Sequence, residues 1–192
     1  MTRHRELAGS LRIRDSLESD TDAIRTLLLR AFGEAEGAEI AGLVDDLSAD
    51  PSARPLLSLV ACSGTELVGH IMFSNAEIDH RDPITVSASI LAPLAVHPEM
   101  QARGIGARLI RTGLNRLLAN GTGFVFVLGY PGYYSRHGFT PALAQGFHAP
   151  YPIPDEHTEA WMVQPLGRTA TASFNGRVVC ARALDDPRYW RE

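Results

Sequence analysis

The stretch that decides the fold is PLAVHPEMQARGIGARLIR, residues 93–111. An apolar, strand-like run ends at Val96, a turn carrying Gly104 and Gly106 follows, and an amphipathic pattern begins at Ile105. The first N–H groups of a helix have no internal partner, and the helix dipole makes that end positive. Glycines there remove side chains that would keep an anion from the amides, and Arg103 adds charge at the rim. The turn therefore reads as a phosphate or pyrophosphate cradle. A bare Gly-x-Gly also occurs in ordinary strand-to-helix turns, so the reading needs its neighbours. Pro93 sits inside the strand-like run, where a residue that cannot donate to a ladder implies a bulge or break. A bulge just before the cradle would splay the strand and expose backbone groups to an extended ligand. GYYSRHGF, residues 132–139, follows the next apolar strand and brings a tyrosine pair to the same end of the sheet.

Working outward, LRIRDSL (11–17) alternates as a short strand, and SDTDAIRTLLLRAF (19–32) places Ile24, Leu27, Leu28, Ala31 and Phe32 on one helical face. A second helical piece is expected from about Ala38 to Leu47. LLSLVAC (56–62) and ELVGHIMFSNAEI (66–78) read as a hairpin through SGT, and TVSASILAPLAV (85–96) as the next strand. The helix after the cradle closes at Asn120-Gly121, and FVFVLG (124–129) is apolar throughout, as buried parallel strands tend to be. Residues 140–157 are rich in Pro and Gly and read as a long loop. EAWMVQPL and GRVVCARAL end the chain with strand-like runs, and the tail DDPRYWRE carries two aromatics that should pack down. The expected architecture is α+β: residues 1–10 a flexible N-terminus, then one domain over 11–192 around a mixed sheet, with a C-terminal strand extension.

Composition narrows the function classes. The 192 residues suffice for an ordinary core, and a formal net charge of −4 gives no general reason to bind nucleic acid or an anionic membrane. No apolar run approaches the roughly 18 residues that span a bilayer, and the first ten residues lack a signal-peptide core. The chain reads as cytoplasmic, where Cys62 and Cys180 are not expected to form a disulfide. The seven histidines form no i,i+4 pair or acid cluster, so no metal is expected. A nucleotide phosphotransferase is disfavoured, because the turn lacks the Lys and hydroxyl that such chemistry needs.

LAPLAVHPEMQARGIGARLI resembles the acetyl-coenzyme A motif of the GNAT superfamily of N-acetyltransferases, Gln/Arg-x-x-Gly-x-Gly/Ala, through Gln101, Arg103, Gly104 and Gly106. YYSRHGF resembles the motif that follows it in that family, and Leu-x-Pro-Leu-Ala-Val with PYPIPDE resembles its YhbS-like branch. The resemblance covers about three-quarters of the chain and implies the GNAT fold, a mixed sheet flanked by helices with a splayed strand pair. It also implies acetyl-CoA as cosubstrate and direct acetyl transfer to a primary amine. Amides of Gln101, Ala102, Arg103, Gly104, Ile105, Gly106 and Ala107 would hold the pyrophosphate. The backbone of Leu94, Ala95 and Val96 would pair with the pantetheine arm, and an amide near Val96 would polarise the thioester carbonyl. Tyr134 would protonate the departing thiolate, while Tyr133 and Arg136 would contact coenzyme A. Homodimers are common in the family.

Other positions are open. His70, alternating with Met72 and Ser74, is the catalytic candidate for the general base, with Glu34, Glu36 and His97 as further candidates. One of Arg108, Arg111 and Arg116 would reach the 3′-phosphate from a solvated helix face. The acceptor pocket is expected between residues 33–40 and 140–157. Two departures from the family pattern, Tyr130 in place of an acid and His137 in place of an apolar residue, leave the acceptor side open, and the missing acid with the lack of a clear base keeps a rival reading alive: an acyl-CoA-binding sensor with little turnover.

Overall fold

The computed structural model describes residues 11–79, 86–167 and 174–190. The expected flexible N-terminus lies outside them. The order is β1 (Leu11–Asp15), α1 (Thr21–Phe32), α2 (Glu34–Ala49), β2 (Leu57–Ser63), β3 (Glu66–Asp79) and β4 (Ala88–Val96). Then come α3 (Ile105–Ala119), β5 (Phe124–Leu128), the single turn α4 (Pro131–Tyr134), β6 (Thr140–Pro141), β7 (Phe147–His148), β8 (Trp161–Pro165) and β9 (Gly176–Cys180). One mixed sheet runs in the spatial order β1-β2-β3-β4-β5-β8-β6, with β9 pairing both the far half of β3 and β7. The α+β expectation holds.

The sheet separates two apolar layers. On one face Leu59, Ile71, Phe73 and Val125 pack with Ile105, Leu109 and Ile110 of α3. On the other, Val60, Met72, Ile90 and Phe126 pack with Leu27, Leu28 and Leu47 of the helix pair. Strand alternation divides each strand between the layers, and each fully buried aliphatic side chain contributes about 2 kcal/mol. The α1 stripe is as its periodicity predicts. The second helix starts earlier than Ala38, directly after Gly33, whose φ of 86° ends α1 and launches α2. Glu34 and Glu36 then occupy the first turn of α2, where the helix dipole favours carboxylates.

Two features position the site. β3 pairs with β4 through Ile71↔Leu94 and Phe73↔Leu91, so Ala92 and Pro93 together oppose Met72. This is the bulge that Pro93 implies. On its other edge β4 runs parallel to β5 for only three pairs, Ala88↔Phe124, Ser89↔Val125 and Ile90↔Phe126. Past Ile90 the two strands no longer pair, while β5 stays paired with β8 on its other edge from Phe124 to Leu128.

The C-terminal tail folds back across α2. The Asp50 carboxylate accepts from the Ala183 amide (3.0 Å), and the Ser52 hydroxyl accepts from the Arg182 amide (2.9 Å). Trp190 is 3% exposed, donates Nε1–H to the Leu184 carbonyl (2.9 Å) and meets Trp161 edge-on at 5.6 Å. Trp161 in turn stacks on Phe126 at 5.2 Å. Trp190→Ala should therefore cost about 3 to 5 kcal/mol of unfolding free energy, measured from urea midpoints at constant m-value. A loss below about 1 kcal/mol would mean that the tail is not part of the core.

Candidate functional site

Two cavities meet where β4 leaves β5. The first, about 420 Å³, is lined by Leu94, Val96, Met100, Gln101, Ala102, Gly104 to Ala107, Tyr133 and Tyr134. The second, about 410 Å³, lies on the α1–α2 side. It is bounded by Ile90 to Leu94, Leu128 to Tyr130, Tyr134, parts of α1 and α2 (Phe32, Glu36, Glu39, Ile40, Leu43), and the tail (Leu184, Arg188 to Trp190). Leu94 and Tyr134 belong to both walls.

The first cavity is polar where α3 begins. The first helical bond there runs from the Arg108 amide to the Gly104 carbonyl, and among the described residues the Ile105, Gly106 and Ala107 amides have no acceptor. Gly104 sits in the left-handed region at φ 75°, and Ala102, at φ 58°, shares it. Such alternating turns aim successive N–H groups at one point. Gly106 answers a different demand: a Cβ there would fall 2.3 Å from the Tyr133 hydroxyl oxygen. Burial holds the Tyr133 phenol above its ordinary pKa, keeping it neutral. The Gln101 amide donates to the Val96 carbonyl (3.2 Å), tying turn to strand. Tyr134 lies edge-on to Tyr133 (5.2 Å) and to the buried Phe139 (5.7 Å), which fixes its ring at the junction.

The structure thus gathers Leu94, Val96, Gln101, Ala102, Gly104, Ile105, Gly106, Ala107, Tyr133 and Tyr134 around one cavity. Ala95 is buried behind it, and Arg103 and Arg136 stand exposed outside its lining. Met100, which the sequence reading passed over, closes its end; an apolar residue just ahead of the glycine turn was the available signal.

The base candidates scatter. His70 lines neither cavity and does not join this group. It is fully buried on the Met72 face of β3, its Nε2 3.0 Å from the Ser58 hydroxyl oxygen and its Nδ1 without a partner among the described residues. Burial pushes its pKa down to about 4, with Asp20 opposing weakly. His97 is engaged elsewhere, its Nε2 3.1 Å from Arg30. Glu34 is exposed beyond the lining, and Glu36 alone of the four borders the second cavity. Arg108 and Arg116, on the solvated face of α3, both have partners on β1. Arg108 donates to the Leu11 carbonyl (3.1 Å) and Arg116 pairs with Asp15, so both clamp edge strand β1 onto α3. Residues 140–157 surround a separate hollow of about 260 Å³ beside Arg177 and leave the second cavity to the C-terminal tail. Among the described residues, no group of three or more His, Cys, Asp or Glu is placed to hold a metal ion, both cysteines are free, and no helix is long and apolar enough to cross a membrane.

The sequence profile of the Acetyltransferase (GNAT) domain matches residues 12–142. The chain belongs to the GNAT family of N-acetyltransferases. It is 46% identical over 169 residues to the uncharacterized N-acetyltransferase YjhQ of Escherichia coli K12, covering 85% of this chain and 88% of that protein. It is 33% identical over 167 residues to YhbS of the same strain, another uncharacterized N-acetyltransferase, covering 86% and 93%. The crystal structure of Escherichia coli YhbS in complex with CoA superposes with a TM-score of 0.81 at 29% identity over 96% of this chain and 97% of that one. A GNAT acetyltransferase from Brucella melitensis in complex with acetyl-CoA gives 0.71 at 28% identity, over 91% and 98%. These relatives support placing the chain in the YhbS-like group of the family.

The His70 environment has a pH consequence. The unfolded imidazole takes its proton near pH 6.5 and the folded one only near 4. Between those values the unfolded state binds more protons, so stability falls as pH falls through that window. Replacing His70 with Leu should remove roughly 3 kcal/mol of the difference in unfolding free energy between pH 6.5 and 4, read from paired urea titrations. Parallel wild-type and variant curves would show that the ring is not held neutral.

Proposed function

We propose that this N-acetyltransferase moves the acetyl group of acetyl-CoA directly to a primary amine, in a ternary complex and in the cytoplasm. The observation that carries the reading is the shared wall: Leu94 and Tyr134 face both the cavity at the start of α3 and the cavity under α2. A thioester held from one side is then met by an amine from the other.

The residues present fit coenzyme A. The three partnerless amides at the head of α3 take a pyrophosphate, and the glycine turn leaves them open to it. The unpaired edge of β4 beyond Ile90 can hydrogen-bond an extended amide-bearing arm as an added strand would. Acetyl-CoA supplies an activated acyl group with a good leaving thiolate. The β4 backbone near Val96 donates to the carbonyl oxygen as charge develops on it. Tyr134 gives a proton to the departing sulfur; a thiol of pKa about 8.5 asks only for a weak acid held close by. The attacking nitrogen loses its proton to water at the open mouth of the second cavity; His70, Glu34 and His97 do not line that cavity, and Glu36, which does, takes no part in the proton transfer of this scheme.

Tyr134→Phe keeps the ring and its packing and removes only the hydroxyl. It should lower kcat at least about 10-fold while leaving the acetyl-CoA dissociation constant within about 2-fold, measured by thiol release and by calorimetry. An unchanged kcat would remove Tyr134 from proton transfer.

A further inference from the structure

The second cavity also carries a charge pattern that says what kind of amine it takes, and this inference rests on the transfer reading above. Aromatic rings of Phe32, Tyr130, Tyr189 and Trp190, with Ile40 and Leu43, make its walls apolar. At about 410 Å³ it is sized for a compact molecule, not a folded partner. Three charged side chains border it: Glu36, Glu39 and Arg188.

Their charges are not equally available. Arg188 Nε lies 3.8 Å from the Glu39 carboxylate and 3.4 Å from that of Asp186, and its guanidinium rests over the Tyr189 ring at 4.7 Å. Two carboxylates and a ring face already answer that cation, so an anionic substrate finds no unclaimed positive charge. Glu36 stands one turn before Glu39 on the same face of α2 and, among the described residues, has no hydrogen-bonding or ionic partner. The net charge offered to the acceptor is negative and comes from Glu36.

We infer that the acceptor is an arylalkyl primary amine without an anionic group, and that Glu36 determines this specificity by drawing in the cation and turning away carboxylates. The aromatic walls take the body of the substrate, and its amine points at Leu94 and Tyr134. Glu36 acts on substrate entry and binding and not on the transfer itself, so its effect belongs in KM.

The test compares 2-phenylethylamine with phenylalanine, which differ by one carboxylate, at saturating acetyl-CoA. Wild type should favour 2-phenylethylamine at least about 10-fold in kcat/KM. Glu36→Gln should shrink that ratio to within about 3-fold through a higher KM, with kcat nearly constant; Glu36→Asp should restore most of it. Acetyl-CoA affinity should be the same in all three proteins. Equal use of both substrates, or an unaltered ratio in Glu36→Gln, would overturn the inference. Calorimetric titration of both compounds into the CoA-loaded protein separates the two levels of the argument. Glu36-dependent binding of 2-phenylethylamine without turnover keeps the inference and refutes the transfer reading. Turnover of other amines, with no binding of 2-phenylethylamine, does the reverse.

Discussion

The parallel pairing of β4 with β5 stops after Ile90, and the rest of the site hangs on that stop. A sheet interior normally satisfies every backbone group, so an early stop in the middle of a sheet needs a cause and leaves a consequence. The cause is local: Ala92 and Pro93 oppose the single residue Met72, and the bulge turns β4 away. The consequence is a slot with an unpaired strand edge along one side. The turn of residues 97–104 then starts α3 at the mouth of the slot, while α4 drops Tyr134 into its far wall. Slot, glycine turn and Tyr134 follow one another along the chain between Ile90 and Tyr134.

That continuity explains what could be read from the sequence. Gly104, Gly106, Pro93 and the tyrosine pair act over a few residues each, through backbone conformation and helix-end amides, so their order along the chain is also their order in space. The helix pair, the hairpin and the buried strand β5 were legible for the same reason. What escaped depends on distant contacts. Alternation along β3 puts His70 on a face but does not say that the face is sealed. Arg108 and Arg116 look like a solvated helix face until β1 is placed beside α3. The wall of the second cavity is set by bonds between Asp50 or Ser52 and a segment some 130 residues later. Composition pointed instead to the Pro-rich loop at 140–157, which folds against β9.

The two cavities divide the labour along chemical lines. The first combines the partnerless amides at the head of α3 with Leu94, Val96, Met100 and the tyrosine pair. The second adds side chains from α1, α2 and the tail to the β4 edge and Tyr134. His70 is a buried imidazole kept neutral in the apolar layer under the helix pair, outside the lining of both cavities.

The most direct test of this account is a crystal structure of the protein with bound CoA. The account predicts the pyrophosphate on the Ile105 to Ala107 amides, the pantetheine arm hydrogen-bonded along β4 between Leu94 and Val96, and the thiol beside the Tyr134 hydroxyl. A CoA molecule bound clear of the β4–β5 slot, or a slot closed by continued strand pairing, would contradict it.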